Sequence, residues 1–141
     1  MEYELVHATD SDREFLLNLR MQTMAKHMEA SGLYLSKSDH LERVNYRYNC
    51  FYLVKQFGKT IGCLKYESAQ NTLNIIQIQI SPEFQNKGHG YRLLKHIIDN
   101  SASKTISLTV LKVNPAYHLY TRLGFTTVGK DEHEYHMQLN R

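Results

Sequence analysis

A chain of 141 residues with 42% hydrophobic and 22% charged residues, seven glycines and two prolines has the composition of a single packed domain spanning residues 1–141. It excludes a second ordinary domain and a long disordered tail. Seventeen Lys and Arg against fourteen Asp and Glu give a net charge of +3 with no basic run, which argues against nucleic acid and suits a small anionic ligand.

Residues 3–8 alternate as a first strand, and Asp10 or Ser11 is placed to cap a helix running to about Ala30. On it Leu17, Met21, Met24 and Met28 recur at helical spacing and are expected in the core. A loop around Gly32 leads to a second helix over Ser36–Tyr48, with Leu41 and Val44 facing inward. Strands are predicted at Cys50–Phe57 and Thr60–Glu67, joined by a tight turn at Gly58-Lys59. Asn71-Thr72 then turns the chain into the strand Ile75–Ile80. Gln77 and Gln79 share one face of that strand, opposite Ile76, Ile78 and Ile80. A central strand covered on both sides is expected to be apolar throughout, so two glutamines there point to a polar cavity. An amide is no base, but it can hold a water or an acceptor.

The segment Gln85-Asn86-Lys87-Gly88-His89-Gly90 follows a proline turn and opens a helix over Tyr91–Asn100, with Leu93, Leu94, Ile97 and Ile98 on its inner side. A helix start leaves backbone N–H groups unpaired and carries partial positive charge, as a phosphate requires. Gly88 and Gly90 lack a Cβ and let the backbone approach such a ligand. There is no Gly-Lys-Ser/Thr, which excludes a nucleoside-triphosphate loop, and Leu93 stands where a dinucleotide fingerprint needs glycine.

Downstream, Ile106, Leu108 and Val110 alternate as a strand, Pro115 suits the first turn of a short helix, and Gly124 ends it. Thr126–Val128 and Glu134–Gln138 form a closing hairpin across Gly129–Glu132. The eight histidines show no metal-ligand spacing, and His133 and His136 point to opposite faces of a strand, so no metal is expected. Without an apolar run of eighteen residues or a signal core, the expected location is cytoplasmic with no membrane partner, and Cys50 and Cys63 are expected as reduced, buried thiols.

Q-x-x-G-x-G at Gln85–Gly90 lies between a strand and a helix, and Leu-Tyr-x-x-Leu-Gly-Phe at Leu119–Phe125 follows about thirty residues later. Together they resemble the coenzyme A motifs of the GNAT superfamily of N-acetyltransferases, and the element order is similar over nearly the whole chain. The resemblance implies an α/β fold, a GNAT-type mixed central sheet of about seven strands with four helices, splayed where the coenzyme enters. It implies acetyl-CoA as co-substrate and transfer of its acetyl group to a primary amine by direct attack in a ternary complex. The backbone of Ile78, Gln79 and Ile80 would pair with the pantetheine arm, and Gln85, Asn86, Lys87, Gly88, His89, Gly90 and Tyr91 would surround the pyrophosphate. Asn114 and Tyr117 would meet the arm, and Tyr120 would stand near the sulfur as general acid. One departure is visible: Asn114 lies six positions before Tyr120, where most relatives keep seven, and Val113 occupies the usual place.

The attacking amine must be neutral, and Glu67 is the candidate base, with His27 and Glu29 as competitors. Arg20–Arg47 and the last hairpin would wall the acceptor site, offering Arg20, His27, Glu29, Tyr34, Asp39, His40, Glu42 and Arg43 with no dominant charge. A small-molecule amine is favoured over a peptide amine as acceptor. The alternative is a non-catalytic acyl-CoA sensor or regulatory module, motivated by the missing base and the shortened Asn114–Tyr120 spacing. Homodimers are common among proteins that this chain resembles, and the terminal hairpin offers an edge strand for one.

Overall fold

The structure is a computed structural model and describes residues 2–141. In chain order it contains β1 (Glu4–His7), α1 (Arg13–Ala30), α2 (Lys37–Asn45), β2 (Phe51–Gln56), β3 (Lys59–Ala69), β4 (Thr72–Ile80), α3 (His89–Asn100), β5 (Thr105–Leu111), α4 (Ala116–Arg122), β6 (Thr126–Lys130) and β7 (Glu134–Asn140). The strands form one mixed sheet in the order β1-β2-β3-β4-β5-β7-β6, antiparallel except at β4–β5. Seven strands and four α-helices are what the family resemblance implies. Among the described residues no helix is long and apolar enough to cross a membrane.

Local chemistry sets the boundaries, with three shifts from expectation. The chain enters α1 through a 3-10 turn at Asp10–Asp12, and the cap lies at Thr9, whose N–H donates to the Asp12 carboxylate at 2.8 Å. At α2, Ser36 and Asp39 cap each other reciprocally, and the helix stops at Asn45, short of Tyr48. The β2–β3 turn is Phe57-Gly58, one residue earlier than expected, because a two-residue hairpin turn of this kind needs positive φ at both positions and these two supply +50° and +78°.

Helices cover both faces. On one, Leu16, Leu17 and Leu19 of α1 and Val44 of α2 pack against Phe51, Leu53 and Cys63. On the other, Leu93, Leu94, Ile97 and Ile98 of α3 and Tyr120 of α4 pack against Ile61, Leu64, Ile75, Ile106 and Val110. The expected α1 stripe is therefore only half core. Leu17 is buried and Met21 packs against the same core, whereas Met24 and Met28 line an opening in the sheet, because the second half of α1 crosses a gap between strands.

That gap has two causes. First, β4 pairs with β5 only from Thr72–Thr105 to Ile75–Leu108, after which the strands diverge. Second, β4 carries a bulge: Lys65 of β3 faces Gln77 while Tyr66 faces Ile75, leaving Ile76 as the extra residue. The bulge shifts the alternation by one. Ile75, Ile78 and Ile80 all belong to the α3-side core, and Gln77 and Gln79 turn toward α1, where both are buried. Gln79 Oε1 accepts from Gln77 Nε2 at 2.6 Å and from the Cys63 thiol at 3.3 Å.

Lys65 fixes α2 over this region. Its side chain is fully buried, and its ammonium donates to the carbonyls of Arg43 at 2.9 Å, Val44 at 3.1 Å and Tyr46. Burial, followed by the charge of Arg20, pushes its pKa down to about 8, and hydrogen bonds to the carbonyls at the end of α2 act to favour the charged form. Lys65→Met, similar in volume, strands those carbonyls. The expected loss is about 2–4 kcal/mol in denaturant unfolding, on the scale of removing one partner of a buried charged hydrogen-bond set.

Candidate active site

The turn after β4 is built to meet an anion. Asn86 and Gly88 are left-handed, at φ +61° and +83°, and Gly88 is the residue before α3. Among the described residues, none of the backbone N–H groups from Asn86 to Tyr91 donates to a protein acceptor, and the first paired one is Arg92, to the Gly88 carbonyl at 3.1 Å. Six successive unpaired donors at a helix start form a concave nest for negatively charged oxygen. Gln85 anchors the turn by donating its side-chain amide to the Ile80 carbonyl at 2.8 Å. Gly90 has a further reason to be glycine: a Cβ there would sit 3.3 Å from the Leu119 side chain of α4.

Two cavities meet at the splay. One, of about 390 Å³, runs from this turn between α3 and α4 and is lined by Ile78, Gln79, Ile80, Gln85, Asn86, Gly88, His89, Gly90, Tyr91 and Asn114. The other, of about 290 Å³, lies under α1 and α2 and is lined by Arg20, Arg43, Tyr46, Gln77, Thr109 and Glu134. Met24, Ile78, Gln79, Asn114 and Tyr120 line both. Asn114 also accepts the Ala116 N–H at 3.0 Å, which orders the start of α4. At the junction Tyr120 is 7% exposed, and its hydroxyl has no protein partner among the described residues. Among the described residues no fully enclosed side-chain oxygen or nitrogen lacks a partner, so this hydroxyl is reached from the cleft. Burial pushes its pKa up to about 12.

Three expected residues lie elsewhere. Glu67 pairs with Asn74, below the point where the strands part, and its carboxylate is 3.5 Å from Arg47 Nε. Lys87 lines neither cavity; its carbonyl accepts from Arg92 at 3.0 Å. Tyr117 points away from the cleft and packs on Tyr135, with ring centres 5.0 Å apart. Of the competing bases, His27 lines the larger cavity and Glu29 lines neither. Sequence reasoning missed Glu134, the one carboxylate lining the smaller cavity, and Arg122, a cation lining the larger.

Residues 47–127, more than half of the chain, match the acetyltransferase (GNAT) domain family. The chain belongs to the GNAT acetyltransferase family. It is 32% identical over 109 residues to an amino-acid acetyltransferase of Neisseria meningitidis serogroup A, a match covering 74% of this chain and 24% of that protein. The chain spans only 20% to 24% of the length of the curated relatives it matches. The fold is shared with PaiA N-acetyltransferase from Thermoplasma acidophilum in complex with coenzyme A, at TM-score 0.72 and 19% identity over 100% of both chains. It is also shared with spermidine N-acetyltransferase from Vibrio cholerae in complex with coenzyme A and spermine, at TM-score 0.71 and 23% identity over 99% of this chain and 95% of that one.

The residues present fit the coenzyme of a GNAT protein. The nest and Arg122 suit a diphosphate, and the edge of β4 beyond Ile75 is free of β5 and open to a polar chain lying alongside. His89, at the helix start, does not add a charge: burial and the nearby Arg92 lower its pKa, and its ring nitrogen bonds the Tyr3 hydroxyl at 2.9 Å. Gly90→Leu drives a side chain into Leu119 and the larger cavity. Calorimetry should show coenzyme A binding weakened by at least about tenfold, or 1.4 kcal/mol, with the fold retained by circular dichroism.

Proposed function

We propose that this GNAT protein transfers the acetyl group of acetyl-CoA to the primary amine of a small molecule, both substrates being bound together. The observation that carries the reading is the meeting of an anion-binding cavity and a polar cavity at one unpartnered hydroxyl, Tyr120. The diphosphate sits on the Asn86–Tyr91 amides, and the pantetheine arm adds to the free edge of β4 as a half-strand would. The amine enters from the α1–α2 side and attacks the acetyl carbonyl, and the thiolate leaves beside Tyr120.

The Tyr120 phenol, at about 12, remains protonated at any working pH. A complete proton transfer to a thiolate of ordinary basicity, about 8.5, would run uphill by about 3.5 pK units, roughly 5 kcal/mol. Tyr120 therefore acts chiefly by hydrogen-bonding the leaving sulfur as charge develops on it. The proton leaving the amine goes to Glu134, directly or through a water, because Glu67 is held at Arg47 away from the cleft. A small acceptor is favoured by the size of the cavity, about 290 Å³, at the lower limit of small-molecule sites. The names of similar proteins, which include an amino-acid and a spermidine acetyltransferase, agree with an amine acceptor.

Isothermal titration with acetyl-CoA tests the first half of this reading: saturable binding is expected, and its absence would remove the transferase reading. Tyr120→Phe tests the second. The expected outcome is a loss of about 10²-fold in kcat with coenzyme affinity unchanged. In the wild type, log kcat/KM should rise with pH as the amine loses its proton. No falling limb from Tyr120 is expected below about pH 10, because the raised phenol stays in its donating form there.

A further inference from the structure

We propose, on the reading above, that the acceptor is an amino acid whose carboxylate docks on Arg20 and Arg43 while its ammonium group faces Glu134. The starting observation is an uncompensated buried charge. Arg20, on α1, is 5% exposed and lines the smaller cavity, yet it forms no ion pair among the described residues. Only its Nε has a partner, the Nδ1 of His40 at 3.2 Å, so His40 accepts there and carries no proton on that nitrogen. Both terminal nitrogens are without a protein acceptor among the described residues. Since no fully enclosed side-chain nitrogen among the described residues is left unsatisfied, those donors open into the cavity.

A guanidinium withdrawn from water without an anion is costly, and the surroundings increase the cost. Arg43 from α2 lines the same cavity, and the Lys65 ammonium lies beneath it under α2. Desolvation and the charge of Arg43 lower the Arg20 pKa to about 10, which still leaves it charged at neutral pH. Desolvation followed by Arg20 and Arg43 also lowers that of His40, which keeps it neutral. A carboxylate between the two guanidinium groups would supply the missing charge and accept the free N–H donors in a bidentate fork.

The part of the lining contributed by β7 has the other sign. Glu134, at the start of β7 and paired with Leu111 of β5, is the one acidic side chain lining this cavity, and its carboxylate has no protein partner among the described residues. A cavity with a cationic wall and an anionic wall matches a molecule bearing both charges. A linear polyamine would have to place a further positive charge against Arg20, where no anion offsets it.

The test pairs each amino acid with the amine that lacks its carboxylate: leucine with isoamylamine, lysine with cadaverine, and spermidine as a polycation. Thiol release from acetyl-CoA should favour the carboxylate-bearing member by at least about tenfold in kcat/KM. In Arg20→Gln that preference should fall to within about threefold through a higher KM for the acid, and Arg20→Lys should restore part of it. Acetyl-CoA binding and the thermal midpoint serve as controls. A wild-type preference for the amines or for spermidine overturns the proposal, as does an equal loss on both members of each pair in Arg20→Gln. Calorimetric titration of the protein–coenzyme A complex with the twenty common amino acids reads the site without turnover, and no heat from any of them also overturns it. Failure to bind acetyl-CoA is a different result: it removes the transferase reading itself.

Discussion

Two central strands of this protein stay hydrogen-bonded for four residue pairs and then part, and the rest of the site follows from that parting. Thr72 to Ile75 hold β4 to β5, and beyond them each strand keeps its outer partner and loses its inner one. An open edge inside a sheet exposes backbone donors and acceptors that a folded protein ordinarily pairs. The bulge at Ile76 lies at the fork, and it turns two amide side chains toward α1 while keeping the isoleucines in the α3-side core. The fork thus creates both the open edge of β4 and the polar floor of the cavity beside it.

Elements on both faces hold the fork open. On one side the Asn86–Tyr91 turn and α3 present free amides, with Gly90 and Leu119 in close contact to keep α3 and α4 near each other. On the other side Lys65 ties the end of α2 to β3 through three carbonyls, and α2 carries Arg43 to the rim. A buried ammonium that satisfies a helix end is a rigid fixture rather than a large source of stability. It gives the Arg43 side of the smaller cavity a fixed position.

Much of this was legible in the chain. Leu93, Leu94, Ile97 and Ile98 are all buried as their spacing requires, and the glycine turn and the Leu119–Phe125 segment fall on the elements expected of them. The bulge was harder to see, although it left a trace: alternation runs through Leu73 and Ile75, then restarts at Ile76, so two adjacent isoleucines mark a change of phase. Arg20, three and four residues from Leu17 and Leu16, is expected among the walls of the acceptor site, but only the packing shows it buried without an ion pair among the described residues. Glu67 lies away from the cleft for a geometric reason, since strand pairing places it opposite Asn74, below the fork. Glu134 comes to the cleft only through the β5–β7 pairing, a contact between distant segments that local pattern does not encode.

Cys63 sits directly under the cleft floor, hydrogen-bonded to Gln79 and wholly buried. Burial pushes its thiol up to about 12, so the nucleophilic thiolate is almost absent at neutral pH. In a protein whose proposed turnover sets free coenzyme A, a reactive cysteine at that spot would be open to mixed disulfides with oxidised coenzyme. Enclosure keeps this sulfur chemically silent, so the floor of the cleft is protected from being capped by the disulfide form of the coenzyme.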